Sequence, residues 1–417
     1  MARRRLSSVG RAWRPLGGLL GPAADDATQS LGALALSATT SLITGFTFAA
    51  VTETLRTFPG LLLFIPAAIG LRGNVFGPLG SRLSTAIRAG TFSWSWRIDS
   101  LLGQNVLGAM ATSLAAAVGL AAIAEFVATW LRDGEGSVIG IADFVVVSVF
   151  GGTVASIVVL VITLGLAVAS ARFGWDLDNV TAPLVSASGD FVTLPALVLA
   201  TYLIQRGTVT RALAVAFVVF ALAVVVLLVR SMLRISRQVL LESLPVLVVA
   251  GTLSLVAGAV LERSIERLLT FSVLLVLLPG YLSTAGALGG ILSSRLSTKV
   301  HLGLIEPARI PRGDARADIR VTFALALPIF ALLAVLAGTV GSLAGRTSPG
   351  LLMLVSVALT GGLVATAFVA GIAYYGTLAV VRFGLDPDNH GIPLVSASLD
   401  VIGALTLVGA LLLWRVA

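Results

Sequence analysis

Apolar runs about twenty residues long recur along the chain, separated by short segments in which Gly, Pro, Arg and Asp collect; Ala212–Val229 and Val321–Val340 are two of them. A helix needs about 20 residues to cross the hydrocarbon core of a bilayer, so each run predicts a membrane-spanning helix. They fall near 33–53, 58–80, 105–131, 141–171, 182–204, 211–230, 244–262, 268–292, 318–343, 350–380 and 392–414. The pattern predicts an all-α polytopic membrane protein with about eleven spans.

Composition agrees. Of 417 residues, 57% are hydrophobic and 12% are charged, against roughly 25% charged in an ordinary soluble domain. A chain of this size with so few charges cannot build a water-facing surface. Cysteine is absent, which excludes disulfides, thiolate metal sites and thiol nucleophiles. His301 and His390 are the two imidazoles, little to offer zinc or copper. The net charge of +8 belongs to arginines facing anionic lipid rather than to nucleic-acid binding. Met1–Gly18 looks like the basic start of a signal peptide, but Pro22, Asp25 and Asp26 make the next stretch too polar for its apolar core. Residues 1–30 therefore read as a basic cytoplasmic tail.

The chain also repeats itself. Ser81–Thr85 (SRLST) returns as Ser294–Thr298, an offset of 213 that Pro66/Pro279 and Glu53/Glu266 share. Arg172–Asn179 (RFGWDLDN) matches Arg382–Asn389 (RFGLDPDN) at six of eight positions, now at an offset of 210. Pro183–Asp190 (PLVSASGD) matches Pro393–Asp400 (PLVSASLD) at seven of eight. Residues 31–207 and 239–417 thus read as two copies of a five-helix unit, with 208–238 as a linking transmembrane helix. Five crossings end on the opposite face, and the linking span brings the second copy back to the same orientation. Arginine placement agrees: with the N-terminus inside and the C-terminus outside, twenty of the 28 Lys and Arg fall on the cytoplasmic side and eight outside, the positive-inside bias. Parallel repeats related by an axis along the membrane normal are a known transporter arrangement.

Asp190 and Asp400 stand out against this background. A carboxylate at the bilayer centre costs at least ~2.5–3.5 kcal/mol and marks a functional site by default. Each follows a proline, Pro183 or Pro393, by seven residues, and proline is suited to the first turn of a helix. Ser186 and Ser396 precede the two acids by four residues and share their helix faces. Two carboxylates flanked by hydroxyls around a pseudo-two-fold axis suit magnesium, which takes oxygen ligands and keeps several of its waters. Asp176, Asp178 and Asn179, with Asp386, Asp388 and Asn389, form acidic loops before these helices; they either concentrate cations at a cytoplasmic mouth or cap helices. In the second span Pro66, Gly73 and Asn74 should loosen the helix and free backbone carbonyls beside water or protein. The second copy keeps Pro279 and Gly286 but has Ala287 where Asn74 would be.

The strings PAAIGLRGNVFGPLGSRLST (Pro66–Thr85) and DLDNVTAPLVSASGD (Asp176–Asp190) resemble the integral-membrane domain of MgtE-type magnesium channels, and more closely their two-repeat relatives, solute carrier family 41. The resemblance covers essentially residues 33–417 apart from the linking span. It implies a magnesium path between two five-helix units, with Asp190 and Asp400 as the ion-binding aspartates and Mg2+ as the transported ion. Single-repeat members reach this arrangement by dimerising; this chain would do so as a single-chain pseudo-dimer in the lipid bilayer of the plasma membrane. No large cytoplasmic region precedes the first span, so gating attributed to such a domain would not operate in the same way.

The reading is therefore a divalent cation channel or transporter and not an enzyme. Exchange of Mg2+ or another cation for Na+ or H+ would use the same carboxylates. An intramembrane aspartate-dyad hydrolase is the competing class, suggested by Gly189–Asp190, but Leu399–Asp400 in the second copy fits a symmetric ion path better than unequal catalytic roles.

Overall fold

A computed structural model describes residues 24–58, 60–131, 139–173, 177–301, 304–305, 308–383 and 392–416. Each expected apolar run is helical. The first half contains α1 (Ala24–Ala50), the short α2 (Thr52–Thr57), α3 (Leu61–Arg88), α4 (Leu101–Leu131), α5 (Ile141–Val146), α6 (Gly152–Phe173) and α7 (Leu177–Thr201). A π-helical turn, Val147–Gly151, joins α5 to α6 without a break. Helix α8 (Thr208–Arg230) follows, then α9 (Arg234–Arg263), the short α10 (Ile265–Thr270), α11 (Val273–His301), α12 (Gly313–Leu343), α13 (Leu351–Phe383) and α14 (Ile392–Leu413).

Among the described residues, nine helices, α5 and α6 counting as one, are long and apolar enough to cross a membrane. Helices α1 (27 residues) and α7 (25 residues) stand at the two remaining expected positions. Helix is the form these sequences must take in lipid, where each backbone N–H and C=O needs a partner within its own segment.

Small residues set the closest approaches, as expected where helices gain nothing from apolar burial alone. Gly45 of α1 lies against the backbone carbonyl of Val276 in α11, and Gly258 of α9 lies against that of Leu63 in α3. Any side chain at either glycine would collide with main chain. Gly45 and Gly258 are 213 residues apart, and so are Leu63 and Val276. Helix α1 thus packs on α11 as α9 packs on α3, while α7 packs on α3 and α14 on α11. Helix α8 sits outside this arrangement, burying Thr210, Ala214, Ala221 and Leu228 along one narrow stripe against α4 and α5.

Three expectations are corrected. Helix α7 begins at Leu177, so Pro183 lies inside it rather than at its start; once the preceding turn has formed, a proline removes one intrahelical bond without ending the helix. Helix α3 runs unbroken through Pro66, Gly73–Asn74 and Pro78, because neighbouring helices in a bundle absorb a proline's missing bond. Arg72, counted among cytoplasmic arginines, is the twelfth residue of α3 and is 1% exposed. Without it, nineteen of the 28 Lys and Arg stand at positions expected on the cytoplasmic side, and the expected bias persists.

Candidate functional site

Asp190 is the fourteenth residue of α7 and Asp400 the ninth of α14. Asp190 is 7% exposed. Its carboxylate accepts a hydrogen bond from the Ser283 hydroxyl of α11 and lies within electrostatic range of Asp400. Asp400 is half-buried and accepts a 2.8 Å hydrogen bond from Ser254 Oγ of α9. A methyl group at Gly70 of α3 would stand 3.8 Å from Asp400 Oδ2 and 3.6 Å from Ser254 Oγ. The two acids are therefore gathered where α3, α7, α9, α11 and α14 meet. A hydrogen bond to a charged group contributes about 1.5–3 kcal/mol, comparable to the ~2.5–3.5 kcal/mol cost of the intramembrane charge, so one hydroxyl per carboxylate offsets much of that cost. Each acid keeps oxygen lone pairs beyond the one its serine uses.

Ser396 is half-buried and lies 3.7 Å from where a Gly286 methyl would be, so two of the expected residues meet. Gly73 contributes a backbone amide 3.7 Å from the methyl position of Gly189, beside Asp190. Asn74 is half-buried and follows Gly70 by four residues, which puts it on the α3 face that passes Asp400. Ser186, Asp178 and Asn179 belong to α7, the last two in its first turn rather than in a loop; their side chains lie outside the described residues. Asp176, Asp386, Asp388 and Asn389 also lie outside them. Among the described residues, no group of three or more His, Cys, Asp or Glu comes together. Asp190 and Asp400 are two acids within electrostatic range of each other.

Ser254, Ser283, Ser41 and Arg72 were not anticipated. Ser254 is the counterpart of Ser41 at the offset of 213, so the repeat itself could have singled it out. Ser41 is fully buried, yet among the described residues its Oγ has no hydrogen-bond partner. Ser283 stands where the first half has Gly70, and no sequence signal points to its role. Arg72 donates from Nη1 to Ser113 Oγ of α4 at 3.0 Å, and the Ser113 and Ser156 hydroxyls are 2.8 Å apart. Its Nε has no partner among the described residues.

The MgtE divalent cation transporter family model matches the chain twice, over residues 65–200 and 278–410. The two segments make up more than half of the chain, which therefore belongs to this family, one of transporters rather than enzymes. It is a multi-pass protein of the plasma membrane. Solute carrier family 41 member 2 of Xenopus laevis is 28% identical over 380 residues, covering 85% of this chain and 65% of that protein. The Homo sapiens member 2 is 26% identical over 391 residues, 87% of this chain and 66% of that protein. Member 3 of Rattus norvegicus is 24% identical over 372 residues, 84% of this chain and 78% of that protein. The chain thus spans just under two thirds of the length of the first two of these relatives. No solved structure matches it significantly.

Proposed function

We propose that the chain moves Mg2+ across the membrane along a path between two five-helix repeats, with Asp190 and Asp400 binding the partly hydrated ion. The repeats are residues 31–207 and 239–417, joined by the linking helix within 208–238 and preceded by a basic cytoplasmic tail. They face the same way, with the N-terminus inside and the C-terminus outside, and work as a single-chain pseudo-dimer. Two observations support the duplicated architecture: the double match to one family model and the paired contacts Gly45–Val276 and Gly258–Leu63.

The observation that carries the reading is the meeting of two intramembrane carboxylates from corresponding helices, each held by a hydroxyl from another helix. Two negative charges offset a divalent cation, and magnesium, which surrenders its waters reluctantly, is held by one or two carboxylates with the rest of its shell retained. Ser186 and Ser396 hydrogen-bond that shell, and Gly73, Asn74 and Gly286 border it. Asp176, Asp178, Asn179, Asp386, Asp388 and Asn389 draw cations to the cytoplasmic mouth.

Magnesium flux into proteoliposomes, read with an entrapped dye, tests this. Asp190→Asn and Asp400→Asn should each reduce flux at least about tenfold while the protein still folds, as expected when one charge of a buried ligand pair is lost. Wild-type flux in both would reject the paired site. Repeating the assay with and without a sodium gradient or membrane potential separates conduction from exchange.

A further inference from the structure

A cavity of about 420 Å³ lies between α3, α4 and α9. Its polar lining comes from Ser81, Arg82 and Thr85 of α3, Thr91 of the α3–α4 connection and Asn105 of α4, with Ile235 in the α9 wall. Gln104 fixes that wall: its side-chain oxygen accepts from the Ile235 amide at 3.0 Å, and its carbonyl accepts from Ser236 Oγ at 2.7 Å. Asn105 is 3% exposed. Its Nδ2 donates to the Leu101 carbonyl at 2.9 Å, and its Oδ1 has no partner among the described residues.

The second half shows what can fill such a space. At the offset of 213, Ala86 and Asn105 correspond to Lys299 and Asp318, and Lys299 Nζ donates to Asp318 Oδ2 at 2.7 Å. An ion pair thus joins α11 to α12, whereas a methyl group and a neutral amide leave room between α3 and α4. The cavity also lies where spanning helices end, since α3 stops at Arg88, α4 starts at Leu101 and α9 starts at Arg234. Trp94 and Trp96 of the same connection are exposed and meet edge to face; indoles of this kind favour the membrane–water interface. Arg234 and Arg237 stand exposed on either side of Ile235.

We propose that this cavity binds the headgroup of an anionic phospholipid. The Arg82 guanidinium is a planar fork of donors that matches two phosphate oxygens. Arg234 and Arg237 add the positive charge by which interfacial pockets select anionic lipids. The Thr85 and Thr91 hydroxyls already donate to the Ser81 and Ala86 carbonyls, so they, like Asn105 Oδ1, offer lone pairs to headgroup hydroxyls. The volume is at the small end of the ~300–1,000 Å³ usual for ligand pockets. It suits a phosphoglycerol headgroup whose acyl chains stay in the bilayer.

Titration of phosphatidylglycerol into the delipidated full chain in detergent micelles, read by native mass spectrometry, tests the proposal. It should bind at least about tenfold more tightly than phosphatidylcholine. Arg82→Gln should weaken that binding at least about tenfold. So should Ala86→Lys combined with Asn105→Asp, which copies the second half's ion pair into the space and leaves the net charge unchanged. Should Arg82→Gln fail to fold, the double variant decides alone, because its pair already stands in the other half of this chain. Equal affinity for the two lipids, or undiminished phosphatidylglycerol binding in the double variant, overturns the proposal. Displacement of the lipid by millimolar inorganic phosphate would assign the cavity to a soluble phosphate and overturn it as well.

Discussion

The Ser254 hydroxyl donates to the Asp400 carboxylate across 2.8 Å. Its counterpart in the first half, Ser41, is equally buried but has no partner for its Oγ among the described residues. Asp190 is served instead by Ser283, where the first half has Gly70. The two acids thus share a chemistry without sharing a geometry. The repeated segments differ here at single positions, Ser283 against Gly70 and Ala285 against Arg72, and this makes the halves unequal.

This inequality has a measurable consequence. Ser254→Ala removes a donor from a buried carboxylate and should cost about 1–3 kcal/mol of stability. Ser41→Ala removes a hydroxyl with no hydrogen bond to lose, and should fall within about 0.5 kcal/mol of wild type. Unfolding by SDS in mixed micelles gives both values. Equal losses in the two variants would show that Ser41 is bonded in the membrane as Ser254 is.

Helix crossing gives a second test. Gly45→Ala and Gly258→Ala each press a methyl group into a facing carbonyl, and overpacking of this kind costs about 1–3 kcal/mol. Gly77→Ala, with no heavy atom within 4 Å of the added methyl, should leave the melting temperature unchanged or raise it, since alanine is the better helix former by about 1 kcal/mol. Tolerance of alanine at both Gly45 and Gly258 would mean that α1–α11 and α9–α3 do not approach this closely.

Orientation is checked with single cysteines, for which the cysteine-free chain is a clean background. Trp96→Cys lies in the exposed α3–α4 connection and Arg206→Cys in the exposed α7–α8 connection. An impermeant maleimide applied to intact cells should label position 206 and spare position 96. The opposite pattern would invert the assigned topology.

The helices were legible because run length alone decides whether a segment can span a bilayer, and the runs ending at Leu131, Arg230 and Leu343 finish where their helices do. Asp190 and Asp400 were legible because an acid inside an apolar run is conspicuous, and finding it twice in one register is more so. Ser254 and Ser283 were not, since a serine in a transmembrane helix is commonplace until packing places a carboxylate beside it. Arg72 was counted with the cytoplasmic arginines although it lies within the run 58–80 that was read as a span. Lipid leaves the backbone no alternative to an unbroken helix there, and the arginine goes inside with it. The acidic loops were readable as motifs alone.

The most direct test of the central claim is to locate the ion. Crystals grown with Mn2+, an octahedral oxygen-seeking stand-in for Mg2+, would reveal its position by anomalous scattering. A peak between the Asp190 and Asp400 carboxylates, absent in the Asp190→Asn, Asp400→Asn double variant, is the expected result. A peak elsewhere in the membrane region that survives both substitutions would contradict the account.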